Sequence, residues 1–250
     1  MNSVTPLNLH PSTISPRVFH PLEPLTAHEV KTAVDLLKST SKVTPTTRFV
    51  SVSLAEPSKA EVHSGARGAG LRNAFIVLFD NLTNTCHEAT VSLTEERVTT
   101  WKHVPGVQPT MTIDEQTECE QAVIASPLFK AALLEHTGID DTSLVMVDIW
   151  SAGNYGDAEE SLLRLARPLC FLRADSSDNG YVRPIEGIRP VVDLNRMEVI
   201  RVEQYGKWPL PSESMNYSPA RVSTLRTDIK PLEIDQPEGP SFEVDGYQVS

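Results

Sequence analysis

Two stretches of this sequence, far apart in the chain, follow one pattern: ATVSLTEERVTTW at 89–101 and PVVDLNRMEVIRV at 190–202. In each, apolar and polar residues alternate, a polar turn follows, and the alternation resumes. This pattern is typical of two antiparallel strands joined by a short turn, with one face buried. The apolar positions coincide, since Val91, Leu93 and Val98 match Val192, Leu194 and Val199. We therefore expect one structural unit that is used twice.

Each hairpin closes a segment that begins with a helix signal. Thr26 and Glu29 form a capping box, and Thr112 and Glu115 form another. In the second segment, Ser126-Pro127 starts a further helix that stops at Gly138. The predicted strands are Val50–Leu54, Ala74–Phe79, Ala89–Leu93 and Val98–Val104 in the first segment, and Leu144–Trp150, Leu169–Arg173, Ile188–Leu194 and Val199–Tyr205 in the second.

These elements predict an α+β fold made of two tandem small domains. In each domain a helix packs on a curved antiparallel four-stranded sheet, as in cystatin-like folds. We divide the chain into a disordered arm at 1–20, a first domain at 21–106, a second domain at 107–206 and a proline-rich extension at 207–250. The stretch Phe242–Val249, at the end of this extension, alternates like a strand that still needs a partner.

Composition excludes several classes of function. The chain has 250 residues and a formal net charge of −11, which argues against binding to nucleic acid or to an anionic membrane. No run approaches the roughly 18 apolar residues of a membrane helix, and the start has no secretory signal pattern. Cys86, Cys119 and Cys170 are too few and too scattered for a disulfide framework. We expect an intracellular protein, in the cytoplasm or in peroxisomes.

The familiar catalytic motifs are absent or incomplete. His28-Glu29 begins like a zinc-protease motif, but Thr32 stands where the second His should be, and the capping box accounts for Glu29. Gly65–Gly70 is rich in glycine but lacks the Lys and Ser/Thr of a phosphate loop. No Gly-x-Ser-x-Gly elbow occurs, and spacing cannot show whether Ser, His and Asp residues meet as a triad.

Two aromatic residues next to turns are open to two interpretations. Trp150 follows the apolar run at 145–149, and Tyr181 follows the tight-turn signal Asn179-Gly180. Trp150 could be buried where a core strand leaves through a turn, or it could lie at the edge of its module, facing a ligand path or a partner domain. Tyr181, on a loop beside the turn, could serve only for packing, or it could line an opening.

Five blocks of sequence together resemble the N-terminal part of copper-containing primary-amine oxidases. The resemblance runs from about His20 to Gly246 and covers nearly the whole chain. The blocks are HPLEPLTAHEV, TECEQAV, LVMVDIWSAGNYGD, NGYVRPIEGIRPVVDLNRMEVIRVE and KPLEIDQPEGPSFEVDG, in this order. In that family two small α+β domains precede a large catalytic β-sandwich. The resemblance thus implies that the extension leads into a catalytic domain that is absent from this chain.

The family oxidises primary amines to aldehydes and reduces oxygen to hydrogen peroxide, with release of ammonia. The resemblance implies copper and topaquinone, a cofactor made from a Tyr of the protein, in the full-length enzyme. Neither can be mapped onto this chain. Asn154-Tyr155-Gly156 and Asn216-Tyr217-Ser218 lack the acidic third residue of the cofactor motif, and a His-x-His copper pair is absent. We expect this chain by itself to bind no copper and to be inactive.

The resemblance also implies a role at the substrate entrance. By position in the matching blocks, Gln116, Ile149, Trp150 and Tyr181 correspond to residues that line the amine entry channel. Gln116 departs from the aromatic residue that the family often has at its place. Trp150 and Tyr181 are the stronger candidates, because rigid aromatic walls sort ligands by bulk.

Two further functions remain open. The chain could be a free-standing binding or dimerisation module of the same fold, although the long proline-rich extension disfavours this. It could also be a small enzyme with a site inside one sheet, but no polar cluster points to one. For the full-length family the resemblance implies a homodimer that acts on small primary amines; for this chain alone we expect a monomer or weak association.

Overall fold

The computed structural model describes residues 20–63, 72–213, 216, 221–222, 224–235, 237, 242–244 and 247–249. The predicted arm at 1–20, apart from His20, and the glycine-rich loop Gly65–Gly70 lie outside the described residues. The elements form two modules and a short hairpin near the end of the chain. They are α1 Ala27–Lys38, β1 Thr47–Leu54, α2 Lys59–His63, β2 Asn73–Asp80, β3 Thr85–Ser92, β4 Arg97–Val104, α3 Ile113–Ala125, α4 Pro127–Thr137, β5 Val145–Asp148, β6 Leu165–Ala166, β7 Leu169–Leu172, β8 Ile188–Asp193, β9 Glu198–Gln204, β10 Phe242–Val244 and β11 Tyr247–Val249.

The first module is a helix on a four-stranded sheet, as predicted. Its strands pair antiparallel in the order β1-β2-β3-β4. The capping box at the start of α1 is confirmed, since the Glu29 amide donates to Thr26 Oγ1 at 3.2 Å and the Thr26 amide donates to Glu29 Oε2 at 2.8 Å. One face of α1, with Ala33 and Leu37, packs on the apolar residues that alternate along β2 and β3. The short helix α2 was not predicted.

The second module repeats this plan with an interrupted sheet. β5 pairs with β7, and β6 pairs with β8, which pairs with β9. The isolated bridge between Ser151 and Ala166 continues the register in which Asp148 faces Leu169. β6 and β7 therefore act as one strand that is broken at Pro168, which has no amide hydrogen to donate. The prediction of four antiparallel strands holds in outline, but it missed β6.

Two helices, rather than one, cover the second sheet. Ser126 has an extended backbone, with ψ at 123°, and its hydroxyl accepts from the Phe129 amide at 3.3 Å. Pro127 occupies the first turn of α4, and Gly138 ends it with φ at 76°. The predicted start and stop of α4 are confirmed. Both helices were predicted: α3 from the capping box of Thr112 and Glu115, and α4 from Ser126-Pro127, which ends the first helix and starts the second.

The two closing hairpins match in detail. Val91 faces Val98 next to a register shift between Thr90 and Val91. Val192 faces Val199 next to a register shift between Val191 and Val192. The turns also correspond, because Glu96 and Met197 have φ values of 50° and 52°. The repeat predicted from the alternation of residues thus extends to the bulge and to the turn.

The terminal stretch does not stay unpaired. Phe242–Val244 and Tyr247–Val249 form a two-stranded antiparallel hairpin. The stretch was predicted as a single strand in need of a partner, but it turns back on itself and pairs its own backbone groups.

A polar joint connects the two modules. Arg164 and Glu115 of the second module form a buried ion pair, and the Arg164 guanidinium carbon lies 4.5 Å from the ring centroid of Phe79 in the first. Asn81 donates to Glu115 Oε1 at 3.5 Å. At the rim, the Arg48 guanidinium binds both carboxylate oxygens of Glu118, at 3.2 and 2.6 Å.

Candidate functional site on the outer face of the second module

Alternation along the strands gives the sheet of the second module two different faces. Val145, Val147, Cys170 and Leu172 point towards α3 and α4 and belong to the main core. The residues between them point the other way. We call this other side the outer face; it carries Met146, Asp148, Trp150, Arg167, Leu169, Phe171, Arg189 and Glu203, which follow the cross-strand register.

Trp150 is exposed on the outer face. Its side chain is 58% exposed, and the indole N–H donates to Asp148 Oδ2 at 3.1 Å. It borders an open cleft of about 470 Å³, a volume within the range of small-ligand sites. The cleft is lined by Trp150, Ser151, Ala152, Tyr155, Arg167, Leu169, Arg189, Glu203 and Tyr205. Of the two interpretations of Trp150, burial in the core is therefore wrong.

A ladder of charges runs along one side of this cleft, and two of its members, Arg167 and Glu203, line the cleft itself. Arg167 donates to both carboxylate oxygens of Glu160 at 2.8 and 2.9 Å, and Arg201 binds Glu160 and Glu203. The Tyr205 hydroxyl donates to Glu203 at 2.6 Å. Hydrogen bonds from Arg167 and Arg201 lower the pKa of Glu160. Burial opposes ionisation of Glu203, but hydrogen bonds from Tyr205, Arg201 and Arg167 outweigh it and lower its pKa. The carboxylates of Glu160 and Glu203 are therefore both paired with arginines of the same chain.

Arg189 differs from the other arginines of the cleft. Its guanidinium carbon lies 5.5 Å from the ring centroid of Tyr205. Within the described part of the chain, no carboxylate lies within ion-pair distance of it. It therefore keeps the capacity to bind an anion from outside.

Tyr181 stands on the same face as Trp150, beyond the cleft. Its ring packs edge-on against Phe171, with 5.1 Å between centroids, and its side chain remains 52% exposed. The predicted turn precedes it: Asn179 Oδ1 accepts the Tyr181 amide at 3.1 Å, and Gly180 has φ at 75°. A Cβ on Gly180 would lie 3.3 Å from Met146 Cε, so the turn is pressed onto the outer face.

The other two predicted residues lie elsewhere. Ile149 points to the helix side and packs, half-buried, against the main core. Gln116 is exposed on the first turns of α3, where its amide donates to the Thr112 carbonyl. Trp150 and Tyr181 thus share the outer face, whereas Ile149 and Gln116 do not, and only Trp150 borders the cleft.

Sequence reasoning missed Arg189 and Tyr205, and it considered Tyr155 only as a false match to the cofactor motif. Tyr155 is 87% exposed and Tyr205 is 60% exposed, and both line the cleft. Trp150 and Ala152 are two positions apart, which is the period of a strand. This spacing could have indicated that the outer face continues beyond the end of β5. Arg189 lies on β8 and Tyr205 follows the end of β9, so only the pairing register of these strands brings them to Trp150.

The described residues offer no metal site and no reactive thiol. No group of three or more His, Cys, Asp or Glu side chains among them is arranged to hold a metal ion. Cys86, Cys119 and Cys170 are buried and unpaired. Burial raises the pKa of each thiol, and that of Cys119 reaches about 12. In the same part of the chain, every helix is too short or too polar to cross a membrane.

Comparison with known proteins identifies both modules. Residues 26–100 match the AGAO-like N2 domain, and residues 114–219 match the N3 domain of copper amine oxidases. A primary amine oxidase of Arthrobacter sp. (strain P1) is 40% identical over 234 residues, which are 93% of this chain and 36% of that protein. A peroxisomal copper-containing diamine oxidase of Nicotiana tabacum is 35% identical over 273 residues, with 92% of this chain and 35% of that protein covered.

Comparison of the fold with solved structures leads to the same group of proteins. A crystal structure of a copper-containing benzylamine oxidase from Hansenula polymorpha superposes with a TM-score of 0.71 at 22% identity, over 91% of this chain and 38% of that one. The protein is a tandem of two α+β domains of the type found in the N-terminal portion of copper amine oxidases. The chain belongs to the copper amine oxidase family as its N2 and N3 domains, and it spans 36% of the length of the Arthrobacter relative.

Proposed function

We propose that this chain is the non-catalytic N-terminal portion of a copper- and topaquinone-dependent primary-amine oxidase. The reaction is that of a primary amine with oxygen and water to give an aldehyde, ammonia and hydrogen peroxide. The observation that carries the proposal is the 40% identity, across 93% of this chain, with a protein named primary amine oxidase. The chemistry belongs to a catalytic domain of the same polypeptide, outside the part that matches this chain.

The donor set supports this division of labour. The described residues have no cluster of side chains suited to a metal, so they do not fit the copper that the family implies. Cys119 and Cys170 are buried thiols with raised pKa values rather than available thiolate ligands. We therefore assign copper and topaquinone to the catalytic domain, and we expect the isolated chain to be inactive.

The role of the second module is to shape the amine entrance. Trp150 and Tyr181 are large, exposed and held by neighbours on one face, which suits the rigid wall of a channel. Ile149 would act through the packing behind Trp150, and Gln116 would contribute from a separate surface. An apolar wall discriminates by only about 1–3 kcal/mol per methylene-sized change, so the module tunes the choice of amine.

The domain division and the setting are part of the same proposal. We assign the two amine-oxidase domains to 21–106 and 107–206, and the lead-in to the catalytic domain to 207–250. The assembled enzyme is a homodimer that acts on small primary amines. A peroxisomal or cytoplasmic location fits best, because the similar tobacco oxidase is peroxisomal.

The mass of the native protein tests the proposal. An antibody raised against this chain should detect, in source cells, a band that is several hundred residues larger than the 27.6 kDa of this chain. The purified native protein should contain copper and oxidise methylamine or benzylamine. A band at 27.6 kDa, without amine oxidation, would contradict the proposal and would favour the free-standing binding module.

Substitutions in the active native enzyme test the entrance. Trp150→Ala and Tyr181→Ala should change kcat/KM for benzylamine relative to methylamine by about five- to tenfold. Trp208→Ala is the matched control, because Trp208 is exposed to the same extent, 57%, and follows Lys207, which pairs with Glu135 of α4 on the helix side. Equal ratios in all three variants would contradict the assignment.

A further inference from the structure

One positive charge of the cleft, that of Arg189, has no ion-pair partner among the described residues. The ladder of charges contains two arginines and two glutamates, which balance one another: Arg167, Arg201, Glu160 and Glu203. Arg189 faces Glu203 across the register of β8 and β9, but the carboxylate of Glu203 is bound by the ladder and by Tyr205. Arg189 therefore keeps N–H donors and a positive charge that can bind an anion.

An aromatic ring, rather than an acid, holds Arg189 in place. The guanidinium carbon lies 5.5 Å from the ring centroid of Tyr205, whose hydroxyl is fixed by its hydrogen bond to Glu203 at 2.6 Å. A contact between a guanidinium and an aromatic ring orders the long arginine side chain. Arg189 is half-buried and lines the cleft, so solvent would only partly screen an anion bound to it. A carboxylate is well suited to this position, because it can accept two parallel hydrogen bonds from one guanidinium.

The other end of the cleft is suited to a cation. Trp150 borders the cleft, and its indole N–H donates to Asp148 Oδ2 at 3.1 Å, so an aromatic ring and a carboxylate lie next to each other. Ammonium groups are attracted to the faces of indole rings and to carboxylates. The outer face thus has a negative charge beside Trp150 and a positive charge at Arg189.

The distance between the two ends corresponds to a small molecule. Ala166 of β6 pairs with Ser151 on one side and with Val192 of β8 on the other. Trp150 and Arg189 therefore lie on segments that are two strand spacings apart, roughly 10 Å. A benzene ring with an aminomethyl group and a carboxylate at opposite positions spans a comparable distance. The cleft volume of about 470 Å³ is sufficient for a molecule of this size.

We propose that Arg189 selects, at the amine entrance, primary amines that carry a carboxylate at their far end. The carboxylate of the substrate binds the Arg189 guanidinium, and its ammonium group lies at the Trp150 end, towards Asp148. Trp150 stays open to the amine, because the substrate itself occupies the cleft. The inference rests on the proposed function and names the class of amine. This class is zwitterionic monoamines rather than diamines, since Arg189 repels a second ammonium group.

Three amines of nearly the same shape test the inference in the active native enzyme. They are para-aminomethylbenzoate, para-methylbenzylamine and para-xylylenediamine, whose far ends are anionic, neutral and cationic. We expect KM for the anionic amine to be about three- to fivefold lower than for the neutral one, as for a partly exposed charge pair, and KM for the cationic amine to be higher by a similar factor. The effect should fall on KM rather than on kcat, because a contact with the far end persists in the transition state. Added NaCl should weaken the preference.

Substitutions of Arg189 then assign the preference to one side chain. Arg189→Gln should abolish the KM ratio between the anionic and the neutral amine, and Arg189→Glu should reverse it in favour of para-xylylenediamine. Arg189→Lys keeps the charge but loses the paired donors, so it should retain part of the preference. Arg97→Gln removes an exposed arginine of β4 in the first module. It is the matched control and should keep the KM ratio of the parent enzyme.

The outcomes separate the inference from the proposed function. Equal KM ratios in the parent enzyme, Arg189→Gln and Arg189→Glu would overturn the inference, while oxidation of para-methylbenzylamine upholds the proposed function. A preference for the carboxylate that persists in Arg189→Glu would place the anion site elsewhere and would also overturn the inference. A native protein that oxidises none of these amines, nor methylamine, would contradict the proposed function and remove the inference with it.

Discussion

The two modules contain the same ionic anchor in two different settings. In the first, Glu29 of the capping box binds Arg72, whose guanidinium also donates to the carbonyls of Glu23 and Pro24 at 3.1 and 3.0 Å. In the second, Glu115 of the capping box binds Arg164, whose guanidinium donates to the carbonyls of Pro109 and Thr110 at 2.9 and 3.2 Å. The backbone carbonyls of the two arginines also play the same part. The carbonyl of Arg72 accepts the amide of Leu93, and that of Arg164 accepts the amide of the matching Leu194, both at 2.8 Å.

The settings differ in exposure. The side chains of Arg72 and Glu29 are 17% and 18% exposed, whereas those of Arg164 and Glu115 are 3% and 1% exposed. The second anchor is buried because Phe79 and Asn81 of the first module close over it. One local motif thus ties a helix to its own module in the first case, and in the second it also joins two modules. Desolvation makes the second pair more costly to break.

Breaking the buried anchor should have the largest effect. Glu115→Ala leaves the Arg164 guanidinium buried without its carboxylate, and we expect a loss of about 3–5 kcal/mol in the free energy of unfolding. Urea denaturation followed by circular dichroism measures it. Glu120→Ala is the control. Glu120 lies on the same helix as Glu115, and it forms no ion pair with any of the described residues.

The paired replacement separates charge burial from packing. Glu115→Leu with Arg164→Leu should recover much of the loss, because no buried charge is left alone. A loss below about 1 kcal/mol for Glu115→Ala would show that water reaches Arg164 and would remove the contrast between the anchors.

The first anchor should be visible in the acid stability of the protein. Hydrogen bonding from Arg72 lowers the pKa of Glu29 from 4.5 to about 2, against the opposing effect of burial. Because the pKa is lowered on folding, this contribution is complete above the unfolded pKa near 4.5 and is lost as the pH falls towards 2. Because solvent partly screens this pair, we expect it to contribute about 1–2 kcal/mol.

The Glu29→Gln variant isolates this contribution, since glutamine does not titrate in the window. The stability difference between the parent chain and the variant should be constant above about pH 5 and should shrink steadily below it. Urea denaturation at pH 3 to 7 provides the comparison. A difference that does not change with pH would mean that Glu29 acts only as a helix cap.

The rim of the joint should matter less than its centre. Arg48 and Glu118 form a bidentate pair, but Glu118 is 43% exposed, so solvent screens the charges. We expect Glu118→Ala to cost about 1 kcal/mol. Salt should reduce this effect and leave that of Glu115→Ala nearly unchanged, which a denaturation series at low and high NaCl would show. Equal salt dependence would place both pairs in the same dielectric environment.

The smallest single effect is expected at the matching hairpin turns. Glu96 is exposed and has φ at 50°, so Glu96→Gly relieves a left-handed conformation and should stabilise the protein by about 0.5 kcal/mol. Met197 has φ at 52° but packs against the main core, so Met197→Gly should destabilise by about 1 kcal/mol. Thermal unfolding of the two variants measures both signs. Changes of the same sign would mean that the packing of Met197 against the core does not distinguish the two turns.

Local signals in the sequence were sufficient for much of the fold. Both capping boxes, the stop of α4 at Gly138 and the matched hairpins are set by residues close together in the chain, and all are confirmed. β6 was missed because it has only two residues, close to Pro168, and two residues are too few to show a periodic pattern. The terminal hairpin was missed because pairing of Phe242–Val244 with Tyr247–Val249 is a choice of register.

Only part of the candidate site could be predicted from the sequence. Trp150 and Tyr181 were found through the resemblance to a family, and the structure puts them on one face of the sheet. Whether they line the channel stays a prediction. Arg189 and Tyr205 could not be found, because they reach the cleft from β8 and from the residue that follows β9, through the cross-strand register.

By itself, the sequence determined that this protein is a twofold repeat of one α+β unit with two capping boxes, and it placed the chain among the amine oxidases. These properties depend on spacing within short segments and on the identity of side chains. Only the tertiary structure decided that the carboxylate of Glu115 is buried and that of Glu29 is not, and that Trp150 is exposed. The reason is that burial depends on which surfaces are packed against each other, here Phe79 and Asn81 of one module over Arg164 and Glu115 of the other.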